Sequence, residues 1–403
     1  MIFLRTAGII AEYNPLHGGH LYLMGEVRRL LGEDAGVVCV MSGDFVQRGD
    51  FALLRRQARA RAAVESGADL VLELPLPWAV SSAEGFAQGA AAVLHAAGVV
   101  EYLAFGSECG DGAALGRLAA ALLSEEFSPA LKAALAGGIS FPAAREAAVR
   151  SLLSPEAAAI LRNPNDNLAA EYCKALLGMG SSIHPLAISR RGAPHDGEAR
   201  PGEHPSASQI RALLRSEERE RALDLMTAPM AAAYRAEEAA GRAPVFGERC
   251  QRGILARLRS MEETDFAALD GGGEGLGRRL YRASREAASV EEILRRAKTK
   301  RYTHARLRRM VLWAYLGLTE PPQEVPYLRV LAAGARGRTV LARMRKTAAL
   351  PVVTKPADTR RLSESAQALF RLEAKAADLY ALAYPDLRAA AGGSLWRESP
   401  AMI

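Results

Sequence analysis

Residues 8–21 read GIIAEYNPLHGGHL: a short apolar run, a turn-rich stretch, then His17 and His20 bracketing Gly18 and Gly19. The apolar run belongs to a longer segment, FLRTAGIIA, with the composition of a buried first strand. In the piece that follows, GHLYLMGEVRRLL, Leu21, Met24, Val27 and Leu31 recur at three- and four-residue spacing, one face of a helix. The histidine pair therefore falls where a strand ends and a helix begins. Glycines there let the backbone approach a ligand closely, and a helix start offers unbonded N–H groups and partial positive charge, which suit phosphate. Histidines three apart share one side of the first turn and can both donate to phosphate oxygens. Such donors count most where charge builds up during attack on an α-phosphorus. No P-loop lysine follows. A string this short also occurs as an ordinary glycine turn with surface histidines. Metal binding by the pair lacks a third ligand nearby. The rest of the chain must decide.

The next segments keep a strand–helix rhythm. GVVCVMSG reads as a second buried strand, and FALLRRQARARAAVESG as a helix closed by Gly67. ADLVLELP is a third strand stopped by Pro75, and SSAEGFAQGAAAVLHAAG a helix capped by Ser81 or Ser82. EYLAFGSE and SSIHPLAISR supply a fourth and a fifth strand. This alternation predicts an α/β fold, a doubly wound parallel sheet covered on both faces. Its ligand edge lies at the carboxyl ends of the strands. The loops at 13–19, 42–50, 75–77 and 106–109 should crowd that edge. Residues from about 110 to 160 are rich in Ala and Leu and read as a helical insertion. After about residue 215 the strand signals fade and helical segments follow one another. The expected division is thus 1–215, an α/β domain that carries the phosphate candidate, and 216–403, a mainly α-helical one.

At 403 residues the chain is too long for one ordinary core. Hydrophobic residues make up 49% and charged residues 24%, a globular composition. No run of eighteen apolar residues suggests a membrane helix, and the N-terminus lacks the pattern of a signal peptide. Four scattered cysteines, Cys39, Cys109, Cys173 and Cys250, form no CxxC pair. They read as core thiols of a reducing, cytoplasmic compartment, not as disulfides or a zinc site. The formal net charge of +7 is clustered. Arg295 to Arg309 holds eight Lys or Arg and no acid, and Tyr327 to Lys346 six more, again without acid. A solvated helix face is the ordinary fate of such runs. The clustering and the interleaved Tyr302 and His304 favour a polyanion, RNA above all.

A second phosphate signal is PSASQIR, residues 205–211. Ser206 and Ser208 precede Ile210 and Arg211; the string resembles the Ser/Thr-rich helix start of nucleotidyl transferases with a His-x-Gly-His site, which implies an Arg covering the triphosphate from the side opposite the histidines. Either string alone has a bland reading, for this one an N-cap with a surface Arg. Together, in this order, they weaken it.

At this point the chain resembles the tRNA(Met) cytidine acetate ligase family. The resemblance runs through GIIAEYNPLHGGHL, VMSGDFVQRG, GADLVLELP, AFGSE, NPNDNLAAEY, SRRGAPHD and SASQIR, then KTKRYTHARLRRM and PYLRVLAAGARGR. It covers nearly the whole chain. It implies a nucleotidyltransferase-like (HUP) sheet domain and a basic helical domain that holds tRNA. It also implies an enzyme that activates acetate with ATP as acetyl-adenylate, releasing pyrophosphate. The acetyl group then passes to N4 of the wobble cytidine of elongator tRNA(Met), giving N4-acetylcytidine. The nucleotide site would run along Ile10, Ala11, Glu12, Tyr13, Asn14, Pro15, Leu16, His17, Gly18, Gly19 and His20. Gly106, Asn165, Arg190 and Ser208 would complete it, with Arg191 as the alternative to Arg190. Asn165 is preferred to its Asn and Asp neighbours in NPNDN.

In that reading His17 and His20 stabilise the crowded phosphorus, while Arg211, with Arg48, holds the leaving pyrophosphate. Acetate is already anionic at neutral pH, so its attack needs no general base. Mg2+ is expected with ATP, and Asp44 is a weak candidate ligand. Asp69 and Glu73 read as structural before catalytic. Two rivals stay open: an adenylyltransferase acting on a small phosphate ester, and an RNA-binding protein with a decayed transferase site. The first predicts a short chain without a basic helical half. The second is at odds with intact His17, His20, Ser208 and Arg211. Oligomeric state is not legible.

Overall fold

The computed structural model describes residues 5–191, 204–216, 218–273, 275–300, 302–319 and 323–403. Strands in chain order are β1 (Thr6–Ala11), β2 (Gly36–Ser42), β3 (Phe45–Val46), β4 (Asp50–Phe51), β5 (Leu70–Leu74), β6 (Tyr102–Ser107), β7 (His184–Ser189), β8 (Leu328–Ala333), β9 (Val352–Val353) and β10 (Ala401–Met402). The main sheet runs β10-β8-β5-β2-β1-β6-β7, with β9 beside β8; β3 and β4 form a separate hairpin. The five strands read from the sequence, β5-β2-β1-β6-β7, are parallel throughout.

The reason is visible in β2. Val38 and Val40 enter the apolar core on one face, and Val37, Cys39 and Met41 the core on the other. Every residue of the strand is buried. A strand without a polar face is stable only with helices on both sides, the condition a parallel sheet meets. Strand order reverses at β1, whose neighbours are β2 and β6. A crevice therefore opens at the carboxyl ends of β1 and β6.

Four helices, Gly112–Leu123, Phe127–Ala136, Phe141–Leu152 and Pro155–Ile160, fill the stretch before Pro164–Gly178. The second half is mainly helical; one apolar core gathers Leu258, Phe266, Leu280, Ile293, Leu307 and Trp313 with Phe45, Phe51, Leu76 and Val80 of the first half.

The expectation that strands end with the first half is corrected. β8 pairs antiparallel with β5, and β10 pairs with β8. A single six-residue run such as LRVLAA, apolar but for Arg329, does not reveal by periodicity whether it is strand or helix. The halves are also joined by polar contacts. Trp313 Nε1 donates to the Val80 carbonyl at 2.8 Å, and Tyr380 Oη to that of Ala52 at 2.8 Å.

Cys39, Cys173 and Cys250 are buried, whereas Cys109 is exposed, against the expectation of four core thiols. Among the described residues no helix is long and apolar enough to cross a membrane.

Candidate nucleotide site

The crevice at the β1/β6 reversal is a cavity of about 300 Å3. The end of β1 and the following turn supply Ile10, Ala11, Glu12, Tyr13 and Asn14, and the next helix supplies Gly19 and His20, with His17 at its cap. Gly106 comes from β6, Asn165 from helix Pro164–Gly178, Arg190 and Arg191 from the end of β7, and Arg211 from helix Ala207–Arg215. The structure thus gathers residues 200 positions apart in sequence. Pro15, Leu16, Gly18 and Ser208 are not in the wall. Leu16 is packed in the core, while Ser208 accepts from Arg211 Nη2 at 3.2 Å and so stands behind that guanidinium. The 75–77 loop contributes nothing to the cavity.

His17 is the N-cap of helix Gly18–Leu31. Its Nδ1 accepts the Gly19 N–H at 3.1 Å, and His20 Nδ1 accepts the His17 N–H at 3.2 Å. With both Nδ1 atoms occupied as acceptors, each neutral ring carries its proton on Nε2. The helix start thereby fixes the tautomer of both histidines and leaves two Nε2–H donors at the cavity. The rings lie 4.0 Å apart between centroids, and Tyr13 meets the His20 ring edge-on at 5.0 Å. Burial lowers His20 to about 4, with Arg190 adding to the effect. Burial, then His20 and Arg190, holds His17 well below the usual imidazole range. Both rings are therefore neutral at physiological pH and available as hydrogen-bond donors. Tyr13 holds a left-handed φ of 46°, a conformation a non-glycine residue adopts at some cost.

Among the described residues the wall carries four guanidiniums, Arg48, Arg190, Arg191 and Arg211, against one carboxylate, Glu12. This balance suits a triphosphate. Burial raises the Glu12 carboxyl, opposed by the Gln47 N–H bonded to it at 2.7 Å and by Arg211. Arg211 Nη1 donates to the Asn14 carbonyl at 2.6 Å, and Ser206 caps its helix.

In NPNDN the residues divide. Asn165 lines the cavity and donates through Nδ2 to Glu108, whereas Asp166 is fully buried and accepts from Ser107 Oγ at 2.6 Å and the Glu108 N–H at 2.9 Å. Arg190 lies against Gly106, where a Cβ would stand 3.2 Å from its Cγ, and Arg191 sits over the Tyr22 ring at 5.2 Å. Both arginines reach the cavity. The remainder of SRRGAPHD, His195 included, lies outside the described residues.

Several contributors escape the sequence reading. His204 faces the helix start: a Cβ on Gly18 would stand 2.6 Å from its Nδ1. Phe86, Phe105, Leu168, Tyr172 and Ile188 form an apolar wall, for which only their buried periodicity gave a signal. Arg59, fully buried, donates to the carbonyls of Glu12, Ser42, Gly43 and Leu54 and so ties the loops after β1 and β2 together.

Asp44 is not a magnesium ligand in this arrangement. It is buried, its Oδ1 accepts the Arg56 N–H at 2.8 Å, and its Oδ2 pairs with the Arg56 guanidinium. Glu73 closes the same network, taking Arg56 on Oε1 at 2.6 Å and Arg329 on Oε2 at 2.8 Å. Asp69 accepts the Val37 N–H at 2.7 Å. Asp69 and Glu73, read from the sequence as structural before catalytic, and Asp44, read as a weak magnesium candidate, are all held in contacts within the protein. Among the described residues no three or more His, Cys, Asp or Glu are placed to hold a metal ion together, and Glu12 is the sole carboxylate at the cavity. The donor set does not fit a magnesium ion caged by protein ligands.

A parallel sheet with its crevice at β1, a histidine-bearing helix start and a facing Ser/Arg helix define an α/β nucleotidyltransferase. The family described as HIGH nucleotidyl transferase matches residues 4–393. A tRNA(Met) cytidine acetate ligase of Acetivibrio thermocellus is 36% identical over 95% of this chain and 96% of its own. One of Thermotoga maritima is 35% identical over 94% and 96%. The crystal structures of Thermotoga maritima TmcAL, apo and bound with alpha-thio ATP, superpose with TM-scores of 0.94 and 0.93 at 32% identity, covering 99% of this chain and 100% of theirs. The chain belongs to the tRNA(Met) cytidine acetate ligase family.

Proposed function

We propose that this protein is an ATP-dependent ligase that activates acetate as acetyl-adenylate and acetylates N4 of the wobble cytidine of elongator tRNA(Met). The observation that carries the chemistry is the pair of neutral imidazoles, each with Nδ1 filled by a backbone N–H and Nε2–H left for phosphate. The acetate carboxylate attacks the α-phosphorus, one oxygen forming the new P–O bond as the bond to pyrophosphate breaks. His17 and His20 donate to oxygens on which charge accumulates. Arg211 and Arg48 take the leaving pyrophosphate, and Arg190 with Asn165 holds the nucleotide from the β6 side. Magnesium, when it accompanies ATP, neutralises phosphate charge; no step here depends on where it is held.

In the second step the cytidine amine attacks the acetyl carbonyl, its N–C bond forms, AMP leaves and the amine loses a proton. The mixed anhydride is already activated, so positioning and exclusion of water are what the protein must supply. An anticodon loop presents the base unpaired. The mainly helical second half accounts for the length that an adenylyltransferase of small phosphate esters would leave unexplained.

Acetate-dependent exchange of labelled pyrophosphate into ATP tests the first step. Exchange that requires acetate and falls at least a hundredfold in His20→Ala is the expected result. Exchange without acetate, or with a phosphate ester in its place, would favour the small-molecule adenylyltransferase.

A further inference from the structure

We propose that a groove in the helical half, between helix Leu276–Glu286 and the residues Arg296, Thr299 and Tyr302, seats RNA sugar-phosphate backbone. The proposal rests on the tRNA reading above and adds a location, largely outside the basic run visible in the sequence. The groove holds about 440 Å3, far more than a single phosphate needs, and its walls bring together Arg278, Arg279, Arg282, Arg296, Thr299 and Tyr302, with Glu286 as the acid.

How those charges are spent decides what the groove can hold. Glu286 is taken by Arg296 at 2.9 Å. Arg279 donates to the Ala297 carbonyl at 2.9 Å and the Arg296 carbonyl at 3.0 Å. Those contacts fix the guanidinium without neutralising it. Arg282 is exposed and has no hydrogen-bond or ion-pair partner among the described residues. Arg278, one turn away, has only an exposed pair with Glu263 at 3.1 Å. Guanidiniums at i and i+4 share one helix face, and their planar forks match phosphate oxygens in pairs. The basic run itself is partly spent. Arg295 and Arg296 pair with Glu292, Arg306 donates to the Gly271 carbonyl, and Arg301 lies outside the described residues.

The groove is also connected to the nucleotide site. Tyr302 leads directly into helix His304–Leu316, and about 10 Å along it Arg309 Nη1 reaches the Gln47 carbonyl at 3.5 Å. Gly49 abuts the same helix, its absent Cβ only 2.5 Å from the Arg309 nitrogen. Between Gln47 and Gly49 stands Arg48, in the cavity wall. A ligand with its reacting base in the cavity and its backbone some way out would span this path, which a nucleic acid does and a free anion does not.

Binding of unmodified elongator tRNA(Met) to the full-length protein should be measured across salt for wild type, Arg278→Gln/Arg282→Gln and Arg282→Glu. Acetate-dependent pyrophosphate exchange without tRNA should be followed in parallel. The double Gln variant is expected to raise Kd about tenfold and flatten the salt slope by roughly 1.5, and Arg282→Glu to raise Kd further. Exchange and thermal midpoint should stay unchanged in all. An unaltered Kd and slope would overturn the proposal. Failure of wild-type exchange with the slope still flattened would sink the ligase reading and leave the groove standing.

Discussion

Arg211 donates to the carbonyl oxygen of Asn14 at 2.6 Å, so the second phosphate motif of the chain is hydrogen-bonded to the first across 197 positions of sequence. The same guanidinium holds Ser208 at 3.2 Å. The bridge ties the turn that leads into the histidine helix to the facing helix Ala207–Arg215 across the cavity.

Arg211→Lys keeps the charge but cannot hold two partners with one planar fork. Acetate-dependent pyrophosphate exchange should fall about tenfold in the Lys variant and at least a hundredfold, roughly 3 kcal/mol, in Arg211→Ala. Full activity in the Lys variant would show that charge alone matters there.

The neutral histidines set the pH behaviour. An unfolded imidazole titrates near 6.5, whereas folded His20 titrates at about 4 and His17 well below its usual range. Between those values the unfolded chain binds the extra protons, so stability falls as pH drops from about 6.5 toward 4 and is insensitive to these groups above 6.5. Chemical denaturation at stepped pH should show that loss, reduced in His20→Gln. Exchange activity should show no inflection near 6.5. One that vanished on substitution of His20 would mean the imidazole works as a cation.

Gly18 and His204 make a testable pair. A methyl group at 18 would stand 2.6 Å from His204 Nδ1 and must displace the ring. Gly18→Ala should raise KM for ATP several-fold, and combining it with His204→Ala should remove most of that increment. Strictly additive effects of the two substitutions would show that the ring and the added methyl never meet.

Arg59 is the structural keystone of the two loops. Arg59→Met removes the donor to the carbonyls of Glu12, Ser42, Gly43 and Leu54, each loss worth about 1–3 kcal/mol where the carbonyl is buried. Urea denaturation should show a loss of about 3 kcal/mol or more, with weakened ATP binding in whatever folds. An unchanged midpoint would mean that water replaces the guanidinium.

Legibility followed the distance over which a signal acts. The five parallel strands are readable as short apolar runs alternating with helical periodicity, four of them largely buried; in β7 only Ile188 is buried. His17 and His20 were readable because both lie within one helix turn. Asn165 could be preferred over Asp166 by resemblance, but their division of labour needs the loop after β6, which Asp166 holds from 57 to 59 positions away. Arg59 could not be found at all: in sequence it is one of several arginines on an Ala-rich helix, and its carbonyl partners come from three separate loops. β8 was missed because a lone six-residue run carries no period, and its pairing with β5 is set by tertiary contact. The basic run was legible as composition, not as function, since acids from the preceding turns neutralise its first members.

The central claim is tested most directly by incubating the protein with ATP, Mg2+, labelled acetate and unmodified elongator tRNA(Met), then digesting the RNA to nucleosides. Label recovered in N4-acetylcytidine, and lost in His20→Ala, is the predicted result. Unlabelled RNA, with tRNA bound and ATP untouched, would contradict it and leave an RNA-binding protein that has lost its chemistry.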